Sequence, residues 1–188
     1  MNYRRLALSM ITLSFILIVS GGVSSFVLGL KRDKEEIYKR INEVNDEFEV
    51  FSTNTSVFES KRDELHNEVL NNIYYDTMYD EDKNVKNTLS NYEHLVDELT
   101  KNTKKLNGLC EDVYYPDSKA NAKCNNYKSI YEQVVNYFVS DISVYNSNVS
   151  KYNEYQKGNN SDLRVDKYKT KKDYIDYNND KVYDGKEE

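Results

Sequence analysis

Apolar positions along this chain change pattern four times. The first pattern is continuous, since Leu6 to Leu30 reads LALSMITLSFILIVSGGVSSFVLGL without one charge. A bilayer core needs about 20 apolar residues in a helix, so residues 6–30 are predicted to be a transmembrane anchor behind a short flank, residues 1–5. From Ile37 the apolar residues recur in alternating steps of four and three: Ile37, Ile41, Val44, Phe48, Phe51, Thr55, Phe58, Arg62, Leu65 and Val69. That is the heptad stripe of a long helix, with Thr55 and Arg62 as its polar members. Ser52-Thr53-Asn54-Thr55-Ser56 forms helix poorly, and Ser56 with Glu59 makes a capping box, so a kink is expected there with the phase kept.

The period is lost over Asn71–Asp82, which reads as a turn, and returns as Val85, Leu89, Tyr92, Val96, Leu99, Thr103, Leu106 and Cys110. Glu111–Ala122 holds the single proline, Pro116, and reads as a loop. A third stripe runs Cys124, Tyr127, Tyr131, Val134, Phe138, then Ile142, Tyr145, Val149 and Tyr152. Its phase slips by one residue between Phe138 and Ile142, a stutter that unwinds a supercoil locally. After Gly158 aliphatic residues become scarce. The expected fold is therefore all-α: an N-terminal transmembrane helix, a three-helix antiparallel coiled-coil-like bundle over residues 31–157 (helices at about 31–73, 83–110 and 122–157), and a disordered polar C-terminal tail over 158–188.

Composition sharpens this picture. A mean hydropathy of -0.84 and 31% charged residues suit solvated helices, and one Pro with six Gly argues against a turn-rich β-sandwich. A net charge of -6 offers no counterion-release handle on phosphates, so nucleic acid is excluded as an expected partner. The N-terminal segment has the basic flank of a signal peptide (Arg4, Arg5) and small residues at Val23-Ser24-Ser25. The apolar run nevertheless continues through Phe26, Val27, Leu28 and Leu30, which favours an uncleaved anchor. Lys31, Arg32, Lys34, Lys39 and Arg40 follow it, and by the positive-inside rule they favour a cytoplasmic domain.

The cysteines argue the other way. Cys110 closes the second stripe and Cys124 opens the third, so an antiparallel hairpin sets them face to face across one loop. A disulfide there closes a loop of about 15 residues, worth about 3 kcal/mol, and belongs in an oxidising compartment. The chain is accordingly expected to be single-pass, with its N-terminus cytoplasmic and its bulk extracytoplasmic.

No catalytic constellation is expected, and no cofactor or metal site. His66 and His94 lack paired nucleophiles, and no Cys-x-x-Cys or His-x-x-x-His occurs. Asp176, Asn178, Asp180, Asp184 and Glu187 fall on calcium-loop positions, but Lys181 stands where the sharp turn needs Gly. Tyr is the distinctive residue, with 18 copies and no Trp. Tyr127, Tyr131, Tyr145 and Tyr152 lie on the stripe and are expected in the core. Tyr137 and Tyr155 lie off it, while Tyr74, Tyr75 and Tyr79 mark one turn and Tyr114 and Tyr115 the other. Those seven make the candidate interaction surface, because Tyr joins an apolar face to a polar tip. The expected function is a non-enzymatic anchored scaffold or protein-interaction module. Its partners are the bilayer through 6–30 and an envelope protein or a second copy. The alternative is a module that binds cell-wall glycan or a small solute through exposed Tyr.

Tyr145-Asn146-Ser147-Asn148-Val149-Ser150-Lys151-Tyr152-Asn153 resembles the YNxxVxxYN signature near the C-terminus of LemA family proteins. The resemblance implies an N-terminal membrane helix and an extracytoplasmic domain of long helices. It covers about nine residues. The Trp- and Arg-containing first-helix pattern of that family is missing, as is the aromatic-Pro pair after the motif, so no function is carried over.

Overall fold

The computed structural model describes the backbone of residues 3–67, 78–111, 114–176 and 181–183, and side chains over 33–67, 78–111 and 114–174. Among these residues three helices, α1 (Tyr3–Leu65), α2 (Met78–Cys110) and α3 (Ser118–Gly158), precede two short strands, β1 (Tyr174–Asp176) and β2 (Lys181–Tyr183). The chain divides into two units, Met1–Glu43 and Val44–Glu188. In the first, Lys39 pairs with Glu43 one turn on, at 3.7 Å. The side chains of the predicted anchor, 6–30, lie outside the described residues. Among the described residues, no helix is long and apolar enough to cross a membrane.

The second unit is a three-helix bundle. Lys123 Nζ donates to Asn45 Oδ1 at 2.7 Å and Arg62 Nε to Asp141 Oδ2 at 3.0 Å, so α1 and α3 run parallel. Asn54 donates to Asn102 at 2.9 Å and the Phe58 ring meets Tyr92 at 5.3 Å, so α2 runs antiparallel to α1. The heptad stripes are the faces that meet. Val44, Phe51, Phe58 and Leu65 of α1 are buried, as are Val85, Leu89, Tyr92, Val96, Leu99 and Leu106 of α2. On α3 the buried set is Tyr127, Val134, Phe138, Ile142, Tyr145, Val149 and Tyr152. Each such side chain removed from water contributes about 1.5–3 kcal/mol, which is how polar helices come to share one core.

Several expectations need correcting. The helix runs unbroken through 52–56 with its phase kept, as the stripe implied, and the Ser56–Glu59 capping box goes unused. Thr55 Oγ1 bonds back to the Phe51 carbonyl at 2.9 Å and its side chain is buried, so packing of the stripe overrides the weak local propensity. The second helix starts at Met78, five residues ahead of expectation, because Met78 is buried and Asp80 and Glu81 suit a helix N-terminus. The third starts at Ser118: Asp117 Oδ1 accepts from the Lys119 and Ala120 N–H groups at 2.7 and 2.8 Å, a side-chain cap just after Pro116.

The largest correction concerns the tail. Residues 158–188 were expected to be disordered, but Val165, Tyr168 and Tyr174 are buried in the bundle core. α3 ends in a C-cap in which Asn160 takes the left-handed conformation (φ 53°) and Ser161 N–H reaches back to the Gln156 carbonyl at 3.0 Å. The chain then returns along the bundle as an extended strap and enters an antiparallel pairing of β1 with β2, with Tyr174 opposite Tyr183 and Asp176 opposite Lys181. Asn178, Asp180, Asp184 and Glu187 of the calcium-loop pattern lie outside the described residues.

Candidate functional site

Three places concentrate polar chemistry on the bundle. The first is the tip between α2 and α3. The Cys110 and Cys124 sulfurs sit at bonding distance with their Cα atoms 5.4 Å apart, the pairing the two stripes implied. Beneath the loop they close, Tyr115 is turned inward and buried, and its hydroxyl donates to the Leu109 carbonyl. Asn121 fastens the Tyr115 backbone from both sides: its Oδ1 accepts from Tyr115 N–H at 2.9 Å, and its Nδ2 donates to Tyr115 O at 2.6 Å. Tyr115 is thus a plug, and its expected place on the interaction surface is corrected. Tyr114, one residue earlier, is 88% exposed. Adjacent residues in extended chain point to opposite sides, so burying one ring presents the other.

The second place is where the α3 stutter meets the polar member of the α1 stripe. The slip after Phe138 brings Val139 and Asp141 into the buried face, and Val135, one turn before it, is buried as well. Asp141 is 1% exposed and accepts from Arg62 Nε at 3.0 Å, with His66 Nδ1 at 3.6 Å from its other oxygen. Burial pushes the Asp141 carboxyl above the usual carboxylate range, against the opposing pull of Arg62 and His66. The Arg62 guanidinium also lies 4.1 Å over the Tyr137 ring, whose hydroxyl accepts from Gln133 at 2.7 Å. Tyr137 is therefore half-buried with one face covered, not a free surface aromatic. The Tyr92 phenol lies fully buried nearby, and burial, with the Asp141 charge, pushes its pKa up.

The third place is the seat of the strap. Asn146 and Asn153 on α3, with Glu93 and Asp97 on α2, hold residues 165–174. Glu93 is 1% exposed; it accepts from the Tyr168 hydroxyl at 2.8 Å and from the Lys171 backbone N–H. Asp97 accepts from Lys172 Nζ at 2.6 Å and from the Tyr174 hydroxyl at 3.2 Å, while the Tyr174 ring packs edge-on against Phe138 at 5.1 Å. Burial pushes the Tyr174 phenol well above its ordinary pKa, with the Asp97 carboxylate adding to the shift. Glu93, Asp97 and the strap residues were not singled out from the sequence, and Asn146 and Asn153 stood out only as members of the YNxxVxxYN segment. Glu93 sits beside Tyr92 on the stripe and reads as a solvated charge until the strap covers it.

Of the other expected surface residues, Tyr79 and Tyr155 are each 48% exposed, and Tyr74 and Tyr75 lie outside the described residues. Tyr127, Tyr145 and Tyr152 are core residues, as the stripe implied. Polar partners make the burial of two of them tolerable, with the Tyr127 hydroxyl donating to Asn107 and the Tyr145 hydroxyl to Asp82. His94 is an exposed residue 4.0 Å from Glu98. Among the described residues, no three His, Cys, Asp or Glu side chains group as metal ligands. No family model, curated protein or solved structure matches the chain. The short YNxxVxxYN segment therefore acquires its meaning from this structure: its tyrosines and Val149 fill the core, and its two outer asparagines hold the strap.

Proposed function

We propose that this chain is a non-enzymatic, single-pass, membrane-anchored helical scaffold that engages an envelope protein. Its anchor is residues 6–30, its N-terminus lies in the cytoplasm and its bundle lies outside it. The observation that carries the reading is the α2–α3 tip. There an 88% exposed tyrosine stands on a loop pinned by a cysteine bridge, a buried ring and a two-sided amide clamp. Holding an aromatic rigidly in water has no folding benefit, and a preorganised aromatic is what a protein interface rewards. The cysteine pair supports the address, because such bridges persist in oxidising compartments.

Mass-tag labelling of Cys110 and Cys124 in intact cells, with and without reduction, tests the address. Labelling only after reduction is expected; labelling of unreduced thiols once cells are opened places the bundle in the cytoplasm and sinks this part of the proposal. Cross-linking from envelope extracts tests the interface: Tyr114→Ala should lose partners that the unaltered chain captures, at unchanged helicity. Glycan stacking is a second reading, favoured by the exposure of Tyr114 (88%) and Tyr155 (48%). In that case Tyr155→Ala and Tyr114→Ala abolish sedimentation with purified wall material.

A further inference from the structure

The strap is gripped twice over by the two-sided amide clamp that Asn121 applies once to Tyr115 at the tip. Asn153 forms a two-bond ring with the backbone of one residue: Val165 N–H donates to its Oδ1 at 3.0 Å, and its Nδ2 donates to Val165 O at 2.8 Å. Asn146 repeats the ring with Tyr168, at 2.8 and 3.0 Å. Each amide thus imitates a neighbouring β-strand. The two asparagines are one heptad apart, about 10.5 Å along a helix. Val165 and Tyr168 are three residues apart, about 10 Å in extended chain. A heptad on the helix and a triplet on the strap are commensurate, so both rings close at once with the strap antiparallel to α3.

These contacts divide recognition into two parts. The four hydrogen bonds between these amides and the strap all involve its backbone, so they call for an extended chain whatever its side chains. Selection falls to the pockets that bury Val165 and Tyr168, the latter ending on Glu93, whose other oxygen takes the Lys171 N–H. The connecting segment is different in kind. Arg164 and Leu163 bond to Ser161 within the connection itself, and Leu163 is 45% exposed. The grip on the strap is therefore concentrated where a separate peptide could supply the same groups, as in strand-addition modes of recognition.

We infer that Asn146, Asn153 and Glu93 form a binding site for an extended peptide carrying an aliphatic residue and, three residues later, a tyrosine. Residues 165–171 occupy the site in cis, and a segment of that pattern from a partner protein takes it by displacing them. This site is separate from the Tyr114 tip and stands or falls independently of it. It gives the YNxxVxxYN segment a role: tyrosines and valine anchor the helix in the core while the asparagines face the ligand chain.

The test uses a fluorescent peptide, SDLRVDKYKTKKDYID, identical to residues 161–176. It is titrated into the full chain, the full chain carrying V165D and Y168A, and that chain with N146A and N153A added. The unaltered chain should bind weakly, since its own strap fills the site and apparent affinity falls with the fraction of open sites. Opening the strap with V165D and Y168A should tighten binding by about tenfold or more. Adding N146A and N153A should weaken it again by about thirtyfold or more, because four backbone hydrogen bonds go. Equal affinity with and without the asparagines overturns the inference, as does equal affinity for the unaltered and opened chains, or no binding to the opened chain. Loss of helical circular dichroism in the V165D/Y168A chain overturns it too, by making the strap an integral part of the core.

Discussion

Replacing Arg62 by Met removes the cation beside Asp141 while keeping an apolar stem of similar length in the α1 stripe. Asp141 is 1% exposed, and its Arg62 bond at 3.0 Å is the shorter of its two ion-pair contacts. Breaking a fully buried pair from one side costs about 3–5 kcal/mol. Here the Arg62 side chain keeps 25% of its exposure and His66 remains 3.6 Å from the carboxylate, so the lower part of that range applies. Loss of the guanidinium over Tyr137 adds about 0.5 kcal/mol. The expected destabilisation is about 3 kcal/mol near neutral pH, read by urea unfolding followed by helical circular dichroism. Its pH dependence has a definite sign. Burial already raises the Asp141 carboxyl, and removing Arg62 takes away a group that lowers it. A carboxyl with a raised folded-state pKa favours the fold below its unfolded value, near 4, and that contribution is lost as pH rises through the folded value. The deficit of Arg62→Met should therefore be largest near pH 8 and shrink toward about pH 4. A deficit under about 0.5 kcal/mol near pH 8, or one that grows on acidification, refutes the assignment of Asp141 as a buried charge that depends on Arg62. The double change Arg62→Met with Asp141→Leu should lie within about 1 kcal/mol of the unaltered chain or above it.

Tyr92→Phe should be neutral or stabilising by up to about 1 kcal/mol, because the fully buried hydroxyl has no hydrogen-bond partner among the described residues; a loss above that in thermal melts would reveal a hidden partner. Reducing the Cys110–Cys124 pair, which spans a separation of 14 residues, should cost about 3 kcal/mol and lower Tm by about 10 °C, and an unchanged melt would mean that the pinned tip does not depend on the bridge. Tyr114→Ala should leave stability within about 0.5 kcal/mol, as its ring is 88% exposed; a larger loss would show the ring to be structural. Phe58→Ala, at a fully buried ring against Tyr92, should cost about 3–5 kcal/mol in the same unfolding assay, and a loss below about 1 kcal/mol would place the core elsewhere.

The existence of three helices, the stripe each one buries and the cysteine partnership were legible in the spacing of residues alone. Those properties are periodic and local: a residue's face follows from its spacing to neighbours on the same helix, so Phe51, Leu89 and Val149 were readable as core before any packing was known. The stutter after Phe138 was readable for the same reason, and so was the oddity of Arg62 on an apolar stripe. What answers Arg62 was not, because Asp141 is 79 residues away and only the meeting of α1 with α3 brings the two together. Tyr114 and Tyr115 were equivalent in sequence; the fold buries one and exposes the other. The strap is the clearest case. An extended segment laid on helices buries isolated residues, here Val165, Tyr168 and Tyr174, at intervals imposed by the helix beneath it. Its own chain carries no period that announces order. Its contacts are hydrogen bonds to Asn146, Asn153, Glu93 and Asp97, polar residues that look solvated in any local window. That residues 165–174 are ordered at all emerges only on folding, because the groups that hold them belong to two other helices.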